Sequence, residues 1–486
     1  MATGTFHLPI SVIGGTSSAT ASWTPPVDWI DISSVGNNEI NLLVADMSPT
    51  QFQITTAGTF SINWGDGTIE TNRASITTYQ HTYTVGAGQA CSRGYTTFKI
   101  RIYEAASNIT KFAIQNPSAS TTAHTVPVLW CVMGTTGLTS MANAFSVSNG
   151  SICGMMECLT LPPTLGSLQT ISSMCQNNYS LIQVTGPTGS WGFTNVGGCN
   201  STFFSCYSLK YVSLFTSFAS CNSCSQMFYA CYGLQNITLP SSWGSIINVS
   251  SMFAACYGLQ NITLPSSWGS VNDVSNMFST CQDLTTITLP SSLSWGSITT
   301  INQMFYSCLN LRTINNFPTS WGSVANIGSV FYSVQQLKSL TLPATMGNIT
   351  TASSVFAAGY DLNNITNFNM IGSTVSACNM TTILQLNDVM TQAFTMSSLL
   401  SAFGISGAAG KAIPTTSIRL TNTASTFGGT SPQVNVSYTG LTASGIDALF
   451  GDLPTLVGKT INITGCPGTA SCTRSIATIK GWSVSG

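Results

Sequence analysis

Charge is what this sequence has least of. Only 6% of its 486 residues are Asp, Glu, Lys or Arg, against roughly 25% in an average soluble domain. Thirteen basic and fourteen acidic side chains leave a net charge of −1. No long-range field exists to gather DNA, RNA or an anionic membrane, so no nucleic-acid partner is expected. Long apolar runs are missing too. Val126–Gly134, VPVLWCVMG, is too short to cross a bilayer, which takes ~18 consecutive apolar residues. No membrane insertion is expected. Histidine is scarce, with His7, His81 and His124 all lying upstream of residue 125. No Gly-x-Ser-x-Gly elbow occurs in a strand–turn–helix setting. The opening MATGTFHLPISVIGG has neither a basic start nor a long apolar stretch, and the first basic side chain is Arg73. A Sec-type signal is therefore not visible.

What is present argues for a folded chain. Hydrophobic residues make up 43% and aromatics 10%, which excludes disorder. Solubility falls to Ser, Thr, Asn and Gln, and a neutral surface of this kind suits self-association, so a homo-oligomer is expected. Length gives a prior of two to four domains. Sixteen cysteines would form a disulfide framework in a secreted protein, and stay mostly thiols if the chain is assembled in a cytosol.

The centre of the chain is written in copies. MFYACYGLQNITLPSSWGS (Met227–Ser245) is followed by MFAACYGLQNITLPSSWGS (Met252–Ser270). Phe203, Phe228, Phe253, Phe278, Phe305, Phe331 and Phe356 stand 25, 25, 25, 27, 26 and 25 residues apart, and Cys175 takes the place one unit earlier. Three residues after the Phe come Cys206, Cys231, Cys256, Cys281 and Cys308; six after it, Leu209 through Leu362; nine after it, Val212 through Ile365. A fixed period of this length means stacked units, with the Phe row as the solenoid core. Within a unit, Ile237 and Leu239 share one face of a short strand and Thr238 points the other way. Pro240 ends the strand, and Gly244 can supply positive φ at the turn. The stretch around Val249–Cys256 is expected to return the Met-Phe pair to the core as a short helix or 3₁₀ turn. Ordering ~25 residues opposes folding by ~1.5 kcal/mol each, while six buried side chains return only ~1.5–3 kcal/mol apiece. One unit therefore cannot stand alone, and neighbours must supply the rest.

Phe-x-x-Cys-x-x-Leu-x-x-Ile-x-Leu-Pro resembles the BspA-type, or Treponema-type, leucine-rich repeat over residues 155–370. The resemblance is specific from Phe203 to Trp321 and weaker after Phe331, where Val334 and Gly359 replace the Cys. It implies a curved solenoid with a parallel sheet on one face, commonly used for adhesion. Upstream, INWGDGTIE (Ile62–Glu70) followed by TYQHTYT (Thr78–Thr84) is similar to the PKD-type β-sandwich. Asp66 is expected to be a turn residue of that module, which implies a spacer or docking role. Downstream, Val434/Val436 and Ile461/Ile463 are strand residues 27 apart, and Ile446, Leu449, Phe450 and Leu453 have helical spacing. These endings, together with the Trp-Gly-Asp-Gly module and Cys91–Tyr95, resemble structural proteins of tailed bacteriophages.

The expected architecture is mostly β with short helices. Residues 1–36 form an arm that either packs on the next domain or anchors to a neighbouring subunit; 37–115 form a PKD-like sandwich. Residues 116–154 are a linker and N-terminal solenoid cap, 155–370 the leucine-rich-repeat solenoid with a parallel sheet, and 371–486 irregular strand–helix repeats and a C-terminal cap. The expected role is a non-enzymatic virion protein — fibre, spike or decoration — bound to other virion proteins through its N-terminal part and presenting the solenoid to a host-surface glycan or protein. A bacterial cell-surface adhesin or filament subunit is the alternative, and a glycan depolymerase the third reading.

Candidate site residues are few. Between residues 202 and 371 the only acids are Asp273, Asp283 and Asp361, so the carboxylate pair of a glycosidase is not expected there, nor any other catalytic group. The outward strand positions Thr238, Thr263, Thr288, Asn315, Thr341 and Thr366 form a neutral ribbon able to hydrogen-bond a glycan or protein, or simply a wet sheet surface. Trp243, Trp268, Trp295 and Trp321 either fill corners or stack on sugars. Cys221-Asn-Ser-Cys224 has zinc-like spacing without a second pair, so neither metal nor cofactor is expected. Cys466 and Cys472, flanking a Pro-Gly loop, are the best disulfide candidate.

Overall fold

The computed structural model describes residues 23–47, 49–75, 78–104, 109–114, 127–135, 137–147, 154–162, 168–186, 198–213, 221–266, 268–290, 297–345, 349–362, 364–367, 380–385, 394–397, 403–407, 413–421 and 434–486. Alternation builds the N-terminal strands. In Thr50–Thr56, Phe52 and Ile54 face the core while Gln51, Gln53 and Thr55 are half-buried. Glu39–Ala45 is buried along its whole length, because both its faces are covered. On one face lies the sandwich core around Phe52, Phe60, Trp64 and Phe112. On the other lies a second cluster, in which Trp29 and Ile32 pack on Leu43, Ala45 and Trp130.

Two antiparallel sheets make this N-terminal part. Strand Thr96–Glu104 pairs with Glu39–Ala45 and with Phe60–Asn63, and Glu39–Ala45 pairs in turn with Val128–Met133. The second sheet runs Thr78–His81, Thr50–Thr56, Ile109–Ile114. Trp64 is fully buried, stacked on His81 at 4.7 Å, and its carbonyl accepts the Tyr83 hydroxyl at 2.9 Å. Gly65 sits at φ +88°, where a Cβ would lie 2.4 Å from the Lys99 carbonyl, so the turn requires glycine.

The sandwich and the solenoid are one hydrogen-bonded body. Val128–Met133 pairs antiparallel on one side and parallel to Cys158–Thr160 on the other; Gln183–Thr185 and Tyr211–Ser213 follow in parallel. The second sheet is carried forward by parallel bridges from Lys111 to Ser140, Thr170 and Gly198. The sandwich therefore covers the end of the repeat stack and leaves no open edge there. Further along, Asn261–Thr263, Thr286–Thr288 and Thr313–Asn315 form a parallel sheet, as do Ser339–Thr341 and Asn364–Thr366. Ile262, Ile287 and Leu340 point inward and are buried. The corner glycines Gly244, Gly269 and Gly322 take φ of 51°, 54° and 43°, and a Cβ on Gly269 would meet the Gly244 carbonyl at 2.0 Å.

The expected helical turn is replaced by a ribbon of reverse turns. Met252, Ala254 and Cys256 donate back to Val249, Ser251 and Phe253 at 3.1 Å each. The intervening amides of Val249, Ser251, Phe253 and Ala255 donate to the next coil, at Asp273, Ser275, Met277 and Ser279, over 2.7–3.0 Å. A helix would keep every bond inside the coil. Here half of the amides turn outward along the stack because residues two before and two after the core Phe are left-handed. Ser251 and Ala255 have φ of 54° and 59°, and Gln226/Ala230, Asn276/Thr280 and Gln303/Ser307 repeat the pattern. None of these is glycine, so each carries strain of ~1–2 kcal/mol, offset by the bonds it directs.

Inside, the Phe row is continuous. Successive rings from Phe203 to Phe356 stack with centroids 5.4–5.9 Å apart and interplanar angles of 20° or less. The Cys column has a specific job. Cys206, Cys231, Cys256, Cys281 and Cys308 each donate a thiol hydrogen bond of 3.0–3.2 Å to the carbonyl of the core residue one coil earlier. Burial pushes these thiols up, Cys256 and Cys308 to about 12.

Beyond residue 380 the strands Met380–Gln385, Phe403–Ser406, Val434–Asn435, Lys459–Asn462 and Trp482–Ser485 form a parallel sheet in that order. Helix Ala443–Asp452, capped by the Thr442 side chain, buries Ile446, Leu449 and Phe450, as their spacing requires. Among the described residues no helix is long and apolar enough to cross a membrane. Residues 1–22 of the expected arm, and Trp295, lie outside the described residues.

Two outcomes are expected. Phe253→Ala lowers stability by ~3–5 kcal/mol, whereas Ala255→Gly is neutral or raises it by up to ~1 kcal/mol; urea unfolding separates them. Raising the pH destabilises the stack. Unfolded thiols lose protons above about 9 while the folded column keeps them, so the stability present below that pH falls as pH rises toward 12, by up to ~1.4 kcal/mol per unit per thiol. Cys256→Ala and Cys308→Ala chains should show a shallower fall in the same unfolding series.

Candidate functional site: the open sheet face and its cleft

The outward face of the sheet is closed at one end and open at the other. Over the first coils it is covered by the arm: the Trp23 backbone amide donates to Gln183 Oε1 at 2.9 Å, and its indole N–H to Glu157 Oε2 at 3.2 Å. The described part of the arm thus packs on its own chain. From Thr238 onward the face is open. Thr238, Thr263, Thr288, Asn315, Thr341 and Thr366 are all exposed. They stand in register, Thr238 beside Thr263, Thr263 beside Thr288, Thr288 beside Asn315, and Thr341 beside Thr366. A second outward column, Asn261, Thr286, Thr313, then Ser339 and Asn364, runs two residues away. Neighbours bond along the ribbon, as when Asn315 Nδ2 donates to Thr288 Oγ1 at 3.1 Å.

The ribbon is split by a cleft of about 550 Å³ between the coil of Arg312–Thr319 and that of Leu337–Ala344. One extra residue stands at this place. Most coils run from Leu to Pro in six steps, Leu234 to Pro240, whereas Leu311 to Pro318 takes seven. The surplus is Asn316, left-handed at φ 56°, whose side-chain N–H donates back to the Leu289 carbonyl at 3.0 Å. The bulge moves Phe317 into the place of the strand's inward Leu. Among the described residues the ladder stops here: Thr313–Asn315 and Ser339–Thr341 belong to separate sheets. Arg312, Thr313, Ser339, Thr341 and Asn367 give the cleft a polar wall, and Ile314, Phe317 and Leu340 an apolar floor. Among the described residues its lining contains no carboxylate, imidazole or thiol; these residues offer hydrogen bonding, one guanidinium charge and apolar contact.

A feature missed in the sequence flanks this face. Tyr179, Tyr207, Tyr232 and Tyr257, four residues after each core position, stack at 4.5–4.7 Å. Burial and the neighbouring tyrosines push the Tyr232 hydroxyl up to about 12, keeping it a donor. The period that found the Phe row would have found this one.

The remaining candidates fall as follows. Trp243, Trp268 and Trp321 are buried corner residues, with Trp243 stacked on Trp268 at 4.9 Å; they offer no ring to a sugar. Asp66 accepts the Thr68 amide at 2.9 Å and faces His81 Nε2 at 2.7 Å. Partial burial opposes, but these hydrogen bonds outweigh it and lower its pKa, holding it as a carboxylate; the pair clamps the hairpin. Cys466 and Cys472 are not bonded to each other, against the expectation from their spacing. Cys466 is turned inward and donates to the Val436 carbonyl at 3.1 Å, in the manner of the Cys column, while Cys472 sits on the outer turn and faces Thr469 O at 3.5 Å. Cys221 and Cys224 meet a third thiol, Cys199, with all three Sγ atoms within 4.8 Å.

The parallel three-residue strands, inward Leu/Ile positions and open sheet define this segment as a solenoid of the leucine-rich-repeat class. The family described as BspA type Leucine rich repeat region matches it in six copies, over residues 169–297 and 249–382. Similar solved structures include a leucine-rich repeat protein of Treponema pallidum (19% identity over 43% of this chain and 80% of that one, TM-score 0.29). Two others are a leucine rich cell surface protein of Faecalibacterium prausnitzii (17%, 73% and 92%, TM-score 0.32) and the pneumococcal vaccine antigen PcpA (16%, 67% and 84%, TM-score 0.27). At these scores the superpositions carry no weight beside the repeat itself. No curated protein sequence matches the chain.

Deleting Asn316 should close the cleft. Hydrogen exchange at the amides of Ser339 and Thr341, which face the gap, is expected to be fast in the native chain and protected in the deletion; unchanged exchange would mean that the extra residue does not make the gap.

Proposed function

We propose that this chain is a non-enzymatic attachment protein that holds its solenoid away from a carrier and offers the open ribbon and cleft to a glycan or protein on another surface. The observation that carries this reading is the ribbon itself: six exposed hydroxyl and amide side chains, four in register before the cleft and two after it. Neutral donors and acceptors repeated along a rigid face match a neutral sugar chain better than a charged polymer. The tyrosine hydroxyls add further donors. The described residues of the cleft offer no general acid or base, which supports binding without turnover; a halo assay on host capsule should be blank.

The carrier in this proposal is a tailed-phage particle, with the N-terminal part on other virion proteins and several copies acting together. The neutral, repeat-built chain and its resemblance to tailed-phage structural proteins support it. The second reading is a bacterial cell-surface adhesin or filament subunit, favoured by the BspA-type repeat match. Mass spectrometry of purified virions against cell envelopes decides between the two.

The ribbon has its own test. Thr263→Arg with Thr341→Arg places two large charges on the face without touching the core. Surface binding should fall at least ~tenfold, equal to ~1.4 kcal/mol, with the unfolding midpoint unchanged. Undiminished binding would remove the ribbon from the interaction.

A further inference from the structure

The repeat is broken at one buried place where nothing in the attachment role requires it. Four residues before the core Phe the described coils carry aliphatic side chains, as at Ile171, Val249, Val274 and Ile301; seven before it they carry Ile246, Val271, Ile298 and Val324. In two adjacent coils these positions are cysteines instead: Cys199 and Cys224 in the first column, Cys221 in the second. All three are fully buried. Unlike the thiols of the Cys column, these face one another, and Cys221 also faces the Ser223 carbonyl at 3.2 Å. Cys221 Sγ lies 3.0 Å from Cys199 Sγ and 3.6 Å from Cys224 Sγ, and the whole set falls within 4.8 Å.

We propose that Cys199, Cys221 and Cys224 form a structural site for a soft, thiolate-seeking cation of the zinc class, which staples two adjacent coils. Three sulfurs around one ion at ~2.3 Å stand ~3.8–4.0 Å apart; the Cys221 separations of 3.0 and 3.6 Å are somewhat shorter, so an ion would spread sulfurs that already converge within 4.8 Å. The donor set is sulfur alone, which excludes calcium and magnesium and selects thiophilic ions. Binding displaces the thiol protons to solvent, and the ion's charge takes their place. The staple sits where it has mechanical use, joining the coils on either side of the Cys199–Cys224 interval ahead of the most regular repeats.

The repeat supplies its own control. Cys199→Val with Cys224→Val writes what other coils carry, so the variant should fold; Cys256→Ala alters a thiol outside the cluster. Full-length protein purified under reducing conditions should hold about one zinc per chain by elemental mass spectrometry, and cobalt(II) exchange should give sulfur-to-metal charge-transfer absorption. Both signals should vanish in the double valine variant and persist in Cys256→Ala. Chelation should lower the unfolding midpoint of the native chain and leave that of the valine variant unchanged. No bound metal after dialysis against zinc, or a Cys199–Cys221 disulfide in the peptide map of protein handled without oxidant, overturns the proposal.

Discussion

Each coil of this protein is held by the one above and the one below. The decisive interaction is the alternating hydrogen-bond pattern of the turn ribbon, in which every second amide, such as those of Ser251 and Phe253, leaves its own coil for a carbonyl of the next. That pattern requires the backbone to alternate hand, which explains left-handed Ser, Gln and Ala residues on both sides of the core Phe. The strain is local and the compensation is not. A coil removed from the stack would keep the unfavourable dihedrals and lose the bonds. Cooperativity therefore runs along the solenoid, and the sandwich, whose two sheets continue into its two faces, supplies a finished end.

Stacking also accounts for the scarcity of charge. A column repeats its side chain every ~4.8 Å. Like charges at that spacing repel by about 1 kcal/mol even in water, and a row of them repels at every step. Hydroxyls and amides bond along the column instead, as Asn315 and Thr288 do. Asp273 and Asp283 stand singly in their columns, and the like-charged Arg312 and Lys338 lie on the two coils that the cleft separates. A neutral surface thus follows from the architecture and brings with it the kind of partner such a surface can recognise.

Function in a copied structure belongs where the copying fails. One added residue, Asn316, stands where the ladder is interrupted and the cleft lies. Three aliphatic-to-cysteine changes bring the thiols of Cys199, Cys221 and Cys224 together. Elsewhere the rows of Phe, Leu and Cys repeat because each must fit its own image. The tyrosine row stands between these cases: it repeats over four coils and then stops, leaving a half-exposed aromatic stack beside the sheet.

The sequence by itself determined the period, the identity of the core rows, the strand in each unit, the glycine corners and the helix Ala443–Asp452, because these follow from spacing and local conformational preference. It also marked the ribbon, since alternation fixes which strand residues face outward. The tertiary structure alone decided the rest. A turn ribbon replaced the expected helical turn because half of its hydrogen bonds lie between residues 24 or more apart, which no local pattern reports. The sandwich and solenoid merged because their strands pair across what reads as a boundary. Cys199 joined Cys221 and Cys224, and Cys466 turned away from Cys472, because side-chain direction depends on which coil lies beneath, and that is settled only when the coils are stacked.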